Sequence, residues 1–180
     1  MSLKEATWEH HKNAERQAFV KRMFKGDMSE KDYATYLYNQ HTTYNILEQM
    51  SIVNGLLMDM PEIRRAPAIY EDYVELWHDS DNPPPLAKVT KEYMDYIMKI
   101  GMDPHKLMAH LYVRHMGDLS GGQMIAKKVP GSGKYYQFDG NTDEIKNKIR
   151  SKLDDSMAEE AKVCFDFATK MFVELEELCS

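Results

Sequence analysis

Apolar residues recur at spacings of three and four along nearly the whole chain, whereas the strict alternation typical of a half-buried strand is scarce. This periodicity predicts helices over residues 2–25, 29–57, 68–78, 86–100, 104–128, 142–153 and 156–178. Ser29, with Asp32 three positions later, has the pattern of a helix start. Pro130 and three glycines mark 129–141 as a loop. The sequence therefore predicts an all-α helical bundle that forms one domain over residues 1–180.

Charge and hydropathy narrow the function classes. The 180 residues carry 23 basic and 29 acidic side chains, so the net charge is −6, and the mean hydropathy is −0.60. An acidic chain excludes a protein that coats nucleic acid, and no apolar run approaches the roughly 18 residues of a membrane span. We expect a cytoplasmic monomer that binds neither nucleic acid nor membrane. Cys164 and Cys179 lie about 22 Å apart on one predicted helix, too far to form a disulfide.

The predicted helix over 104–128 contains glycines that a purely structural helix avoids. Gly117 and Gly121 share one face, and Gly122 follows directly. Each costs about 0.5–1 kcal/mol relative to alanine in a helix interior. A strip of bare backbone lets a flat ligand approach closely; the alternatives are close packing of another helix or a break into two helices. Asp118 and Ser120, which lie between the glycines, are suited to hold water or to bond the bent backbone.

A histidine lies on the inward stripe of the first predicted helix. The stripe has spacings of four, four, three and four and consists of Leu3, Thr7, His11, Ala14 and Ala18. Two interpretations of His11 stay open: a hydrogen-bonded core histidine, or a metal ligand with room beside it for a planar group. In the second case, Glu15 lies one turn further on and would orient the imidazole.

Together these two features resemble the haem oxygenases. The segment His11-Lys12-Asn13-Ala14-Glu15 is similar to their H-x-x-A-E pattern, and 117–123 reads G-D-L-S-G-G-Q, as does their distal-helix signature. The resemblance extends over residues 4–178. It implies an all-α fold with haem held between the first helix and a glycine-kinked distal helix. It also implies oxidative opening of haem, both substrate and cofactor, usually at the α-meso carbon, to biliverdin, carbon monoxide and ferrous iron. The reaction would use O₂ and electrons from an external reductant.

The resemblance implies a role for each matching residue. His11 would be the axial ligand of the haem iron, and Glu15 would bond its other ring nitrogen. Asp118 would hold the distal water network, with Tyr44 and Arg114 as outer members. The remaining haem-binding set comprises Gly117, Gly121 and Gly122 against the porphyrin, Lys4, Tyr112, Lys146 and Arg150 around the propionates, and Phe165 at the back of the pocket. His115 and Met116 depart from the family's usual residues, so we expect different packing there.

The electron donor would dock near the haem edge. Basic residues collect on two predicted helices, the first with Lys4, Lys12, Arg16, Lys21, Arg22 and Lys25, and another with Lys146, Lys148, Arg150 and Lys152. An acidic donor such as ferredoxin would be steered to such a face, although an ordinary solvated surface explains it equally well. A bilin reductase is a candidate consumer of the product. A plastid or a phage-infected host cytosol is as compatible as any other cytoplasmic location.

Two other function classes stay open. A non-haem di-iron oxidase would show two E-x-x-H pairs or an equivalent set of carboxylates, and this chain has one, from Glu75 to His78. A haem carrier or sensor would bind haem without turnover. Haem titration followed by addition of ascorbate or reduced ferredoxin separates these classes, since only the enzyme replaces the haem Soret band with a bilin band.

Overall fold

A computed structural model of the chain describes residues 1–179, and that part is helical without any strand. The bounds of the ten α-helices are α1 Leu3–Ala6, α2 Trp8–Glu15, α3 Ala18–Lys25, α4 Glu30–Val53, α5 Ala66–Leu76, α6 Lys88–Lys99, α7 Pro104–Leu119, α8 Gly121–Ile125, α9 Thr142–Arg150 and α10 Ala158–Cys179. Short 3₁₀ turns cover Pro61–Ile63, Lys134–Tyr136 and Asp155–Met157. The all-α bundle predicted from periodicity is therefore confirmed.

The prediction of one continuous helix over 2–25 is wrong, because the N-terminal segment forms three pieces. Ser2 and Glu5 cap α1 reciprocally, and the Thr7 hydroxyl then donates to the Leu3 carbonyl at 2.9 Å. This local side-chain bond competes with helix continuation. The second break lies at Gln17, whose backbone is extended with φ −65° and ψ 144°. As a result Ala18 is exposed instead of lying on the inward stripe.

The long helices begin and end at identifiable residues. The hydroxyl of Ser29 accepts the Asp32 N–H at 3.1 Å, so the predicted start of α4 is confirmed. This helix ends at Val53, four residues before the predicted end, where Gly55 takes a left-handed φ of 73°. The predicted helix over 104–128 divides into α7 and α8 at Ser120, whose φ is −113° and ψ −92°. The break into two helices was one of the alternatives open at the glycines.

α4 and α10 organise the interior. The central helix α4 packs against α5, α6 and α7, and the C-terminal α10 packs against α2, α3, α6 and α7. One apolar cluster lies among α6, α7, α9 and the end of α4, and a second, rich in tyrosine, lies among α3, α4, α5 and the 129–136 segment. Within residues 1–179 no helix has the length and apolar character needed to cross a membrane. Both Cys164 and Cys179 are free thiols, as predicted.

Candidate functional site

The glycines of the α7–α8 corner differ in what surrounds them. Gly117 is exposed although its neighbours His115 and Asp118 are buried, and a Cβ added there would meet no atom within 4 Å. At Gly121 the nearest atom would be Cζ of Phe24, at 3.7 Å. α2 and α7 both pack on α10, yet among the described residues they make little contact with each other. The backbone of α7 at Gly117 therefore borders open space.

His11 presents an oriented imidazole on α2. Its Nε2 lies 2.7 Å from Oε1 of Glu15, and its ring stacks on Phe165 of α10 with centroids 5.3 Å apart and planes within 12°. The edge of Trp8 packs on the same ring. The neighbouring His10 turns to another partner, Asp166, at 2.8 Å. One ring nitrogen of His11, Nδ1, makes no hydrogen bond in the described part of the chain.

Asp118 is a buried carboxyl held from α4. The Tyr44 hydroxyl lies 2.8 Å from Oδ2 of Asp118 and 3.3 Å from the Arg114 carbonyl oxygen. Burial raises the pKa of Asp118 to about 6, although His115, Tyr44 and Tyr135 each lower it. The structure therefore brings together the three residues that the resemblance assigned to the distal network, and it provides a carboxyl that exchanges a proton near neutral pH.

Arg114 joins this carboxyl region to a second buried network. Its Nε donates to the Tyr93 hydroxyl at 3.1 Å, and its guanidinium lies 4.3 Å from the Tyr93 ring centroid. The Tyr93 hydroxyl is 2.7 Å from Nδ1 of His110, whose Nε2 is 2.9 Å from Glu160. The sequence analysis missed Tyr93 and His110. The available signal was the placement of His110 one turn before Arg114 on the same buried face of α7.

His115 is fully buried and forms an ion pair with Glu48, which is also fully buried, at 2.8 Å. Its Nδ1 lies 3.1 Å from the Leu111 carbonyl oxygen, and its Nε2 lies 2.8 Å from Oε2 of Glu48. The same carboxyl accepts the backbone N–H groups of Arg65 and Ala66, at 2.6 and 3.0 Å, and thereby begins α5. The expectation that packing differs from the family at His115 stays a prediction, and Glu48 was not among the residues expected from the sequence.

The segment 131–137 packs against the α7–α8 corner, where Gln123 donates to the Tyr136 carbonyl at 2.8 Å. A Cβ on Gly122 would lie 2.6 Å from Cδ1 of Tyr136, and the Tyr136 ring stacks on Tyr135 with centroids 4.2 Å apart. Gly122 therefore accommodates an aromatic ring of this chain, and the haem contact that the resemblance implied for it stays a prediction. No period or motif in the sequence indicated that these tyrosines turn inward.

Comparison with known proteins decides the family. The family model described as "Heme oxygenase" matches residues 1–174. Over 202 residues the chain is 32% identical to heme oxygenase of the red alga Pyropia yezoensis, covering 96% of this chain and 84% of that one. This chain belongs to the haem oxygenase family.

Its fold matches heme oxygenase-1 of Synechocystis, solved in complex with heme, with a TM-score of 0.85 and 26% identity over 98% of this chain and 92% of that one. It also matches heme oxygenase of Leptospira interrogans, with a TM-score of 0.84 and 31% identity over 97% and 100% of the two chains.

The residues of this haem oxygenase are suited to bind a flat molecule that carries an iron ion. The space at Gly117 that a Cβ would occupy is open, and the His11 imidazole has a nitrogen without a partner in the described chain. Arg114 is buried, and its terminal nitrogens form no hydrogen bond with the described residues. These are the features of a groove that admits a flat group with polar substituents.

The basic set around the groove is partly assembled. Tyr112 of α7 is half-buried, and α7 packs against α9, which ends at Arg150. Burial raises the pKa of Tyr112, and the charge of Arg150 partly opposes that rise. Lys146 is half-buried and Lys4 exposed, and neither forms an ion pair among the described residues. The structure thus brings Arg150 close enough for its charge to act on the Tyr112 pKa, and it leaves Lys4 and Lys146 without an ion pair among the described residues.

The di-iron alternative gains no support from the geometry. Within residues 1–179 no group of three or more histidine, cysteine or acidic side chains is placed to hold a metal ion. The carboxylate of Glu75 instead accepts the N–H and hydroxyl of Ser132, at 3.2 and 3.0 Å.

Proposed function

We propose that this haem oxygenase opens haem oxidatively at one meso carbon, the α carbon, and forms biliverdin, carbon monoxide and ferrous iron. The reaction takes O₂ and electrons from an external reductant. One observation carries the proposal: an imidazole oriented by Glu15 lies on α2, and on α7 the exposed backbone of Gly117 adjoins the buried carboxyl of Asp118. Family membership supports haem degradation, and this pairing supports turnover over simple storage.

Each side chain has a task that its contacts support. Bound haem supplies the redox-active iron and the carbon framework that is oxidised. His11 binds the iron, and Glu15 holds the imidazole plane through its hydrogen bond. At Gly117 the missing side chain admits the ring close to the backbone. Asp118, with a pKa of about 6, takes and returns a proton at Oδ2, where the Tyr44 hydroxyl fixes its orientation.

The propionates would be held by the basic rim of the groove. Lys4, Lys146 and Arg150 supply cationic donors, and Tyr112 a hydroxyl. Charge-assisted hydrogen bonds to carboxylates are the strong ones, so these four residues would hold the propionates and thereby orient the haem.

We also propose an acidic electron donor, ferredoxin, as the partner on the basic face. Ion pairs within the chain neutralise part of the positive charge of that face. Arg22 binds Asp32 and Glu176, Lys148 binds Glu62 and Lys152 binds Asp59. Lys12 also binds Glu9, so the cations of this face that have no ion pair among the described residues are Lys4, Arg16, Lys21, Lys25, Lys146 and Arg150. We place the reaction in the cytoplasm or a plastid stroma, with a bilin reductase as the consumer of the product.

Turnover is tested by haem titration followed by reductant. With ascorbate or reduced ferredoxin under air, the Soret band is expected to disappear as a bilin band grows, with about one carbon monoxide per haem. A Soret band that persists with both reductants would establish a haem carrier instead.

Docking is tested with matched charge reversals. Reversal at Lys12, Arg16 and Lys21 is expected to slow ferredoxin-driven turnover at least several-fold and to leave ascorbate-driven turnover near wild type. The effect shrinks as salt rises, because exposed charges are screened over about 8–10 Å at physiological ionic strength. Reversal at Lys91 and Lys99, both exposed on α6, is the control. Equal slowing with both reductants would show that haem binding or folding has changed instead of docking.

A further inference from the structure

We propose that His115 and Glu48 form a positioning pair for the distal carboxyl. The pair fixes α7 against α4 one helical turn away from Tyr44 and Asp118, and it holds the His115 imidazole on the helix that carries Asp118. The inference rests on the proposed function for its role in turnover, whereas its geometric basis is independent of haem. His115, which departs from the family's usual residue, thereby has a task in the distal site.

Two polar contacts join α4 to α7, one helical turn apart. The Tyr44 hydroxyl lies 2.8 Å from Oδ2 of Asp118, and Oε2 of Glu48 lies 2.8 Å from Nε2 of His115. Glu48 is one turn after Tyr44 on α4, and His115 is one turn before Asp118 on α7, so each helix presents both of its residues on one side. One contact alone would allow α7 to pivot about it. Two contacts fix the register of the helices and therefore the approach of the Tyr44 hydroxyl to Asp118.

The His115 ring cannot turn without losing contacts. Its Nδ1 lies 3.1 Å from the Leu111 carbonyl oxygen, while Nε2 faces Glu48. A half-turn about the Cβ–Cγ bond would place carbon atoms against both of these oxygen acceptors. The ring is fully buried and packs on the Tyr44 ring with centroids 5.1 Å apart and planes at 54°. The same imidazole therefore restrains the tyrosine whose hydroxyl bonds to Asp118.

Backbone groups at the start of α5 hold Glu48 in place. Its carboxylate accepts the N–H groups of Arg65 and Ala66, and Nε of Arg64 lies 3.7 Å from Oε1. A fully buried carboxylate is costly unless such partners surround it, and the first turn of a helix favours negative charge. The pair is therefore fixed at a junction of three elements, namely α4, the start of α5, and α7.

His115 also acts on Asp118 through its charge. Burial raises the pKa of Asp118, and the charge of His115 is the strongest of the influences that lower it. Residues three positions apart on a helix have Cβ atoms about 5–6 Å apart, a separation at which an opposite charge lowers a carboxyl pKa by about 1–3. The other titratable or charged groups around Asp118 and the pair come from every element packed there, namely Tyr33, Tyr36, His41 and Tyr44 of α4, Arg64 and Arg65 before α5, Arg114 of α7, and Tyr135 and Tyr136. His115→Phe removes one charge from this surrounding and keeps a ring against Tyr44.

The test is a pH titration of Asp118 in the haem-free chain. The carboxyl ¹³C signal, assigned by its loss in Asp118→Asn, reports the pKa directly. His115→Phe is expected to raise that pKa by about one unit, because it removes the opposing charge and leaves the Glu48 carboxylate in place. The matched control is His41→Phe on α4, a second histidine ring that packs on a tyrosine, in this case Tyr70. It is expected to leave the Asp118 pKa unchanged.

The possible results separate a positioning role from a purely structural one. An Asp118 pKa that stays at its wild-type value in His115→Phe, or that rises equally in His41→Phe, overturns the proposal even if Tm falls. If His115→Phe does not fold, the double variant Glu48→Gln/His115→Phe also removes the unpaired buried carboxylate, and an upward shift of smaller size is then required. In the loaded enzyme the acid limb of the activity profile is expected to move upward with the pKa. A shifted pKa in a chain that never consumes haem would sustain the positioning pair and refute the proposed function.

Discussion

Alanine at Gly117 and at Gly122 is expected to have opposite effects on the haem-free chain. Both glycines lie in helices, so both changes gain about 0.5–1 kcal/mol of helix propensity. Because a Cβ at Gly117 meets nothing within 4 Å, Gly117→Ala keeps its gain in helix propensity. At Gly122 the Cβ would lie 2.6 Å from Tyr136, about 1 Å inside the usual 3.5–4.0 Å contact, and Tyr136 is stacked on Tyr135 and has no room to move away.

The expected changes in unfolding free energy and Tm follow from these contacts. Overpacking of this kind costs about 1–3 kcal/mol, so Gly122→Ala is expected to lose up to about 2 kcal/mol after the propensity gain. At this chain length, 1 kcal/mol corresponds to about 2–4 °C in Tm. We therefore expect Gly117→Ala to melt about 1–4 °C above wild type and Gly122→Ala several degrees below it. Haem affinity is expected to fall at least about tenfold in Gly117→Ala, a loss of 1.4 kcal/mol or more.

Thermal unfolding by circular dichroism of the haem-free variants, together with haem titration at the Soret band, measures both quantities. A Gly117→Ala chain that binds haem as tightly as wild type would refute the claim that this backbone borders the haem. A Gly117→Ala chain less stable than wild type would show that the space is filled in solution.

The other predictions concern two imidazoles and two buried carboxyls. His11→Ala is expected to keep its fold and lose turnover, with partial rescue by imidazole; the same loss in His10→Ala would contradict the assignment. Asp118→Asn is expected to raise Tm more at pH 8 than at pH 4. The pKa of Asp118 in the folded chain is about 6, above the unfolded value near 3.9. The wild-type protein therefore loses up to about 3 kcal/mol of stability as the pH rises through 6 and this carboxyl ionises. Equal shifts at both pH values would oppose this. Glu48→Ala is expected to cost about 3–5 kcal/mol in urea unfolding, because His115 loses its buried partner; a loss below about 1 kcal/mol would contradict it.

The helices and the two signature motifs were predictable because both are local. Periodicity identified every long helix, and His11 and Gly117 are recognised within short stretches of chain. The breaks at Thr7 and Gln17 were missed because neither glycine nor proline marks them. At Thr7 the competing hydroxyl bond to Leu3 spans four positions, the same spacing as a turn of helix, so apolar periodicity does not report it.

The supporting residues were hidden for a different reason. Glu48 and His115 lie 67 positions apart, and Gln40 and Tyr135 lie 95 apart. Such pairs form only after α4, α7 and the 129–141 segment have packed. A lone buried glutamate on α4 has no sequence signature that separates it from an exposed one.

The first two helices bury few of their side chains. Only Leu3 of α1 and Ala14 of α2 are buried, and helices of four and eight residues are unstable alone in water. This stretch is therefore expected to open locally without global unfolding, and to be cut first by proteases. A ligand bound between His11 and α7 binds only the closed arrangement and stabilises it by mass action, in proportion to the logarithm of its concentration over Kd. A chain supplied with haem is therefore expected to resist proteolysis longer than the haem-free chain.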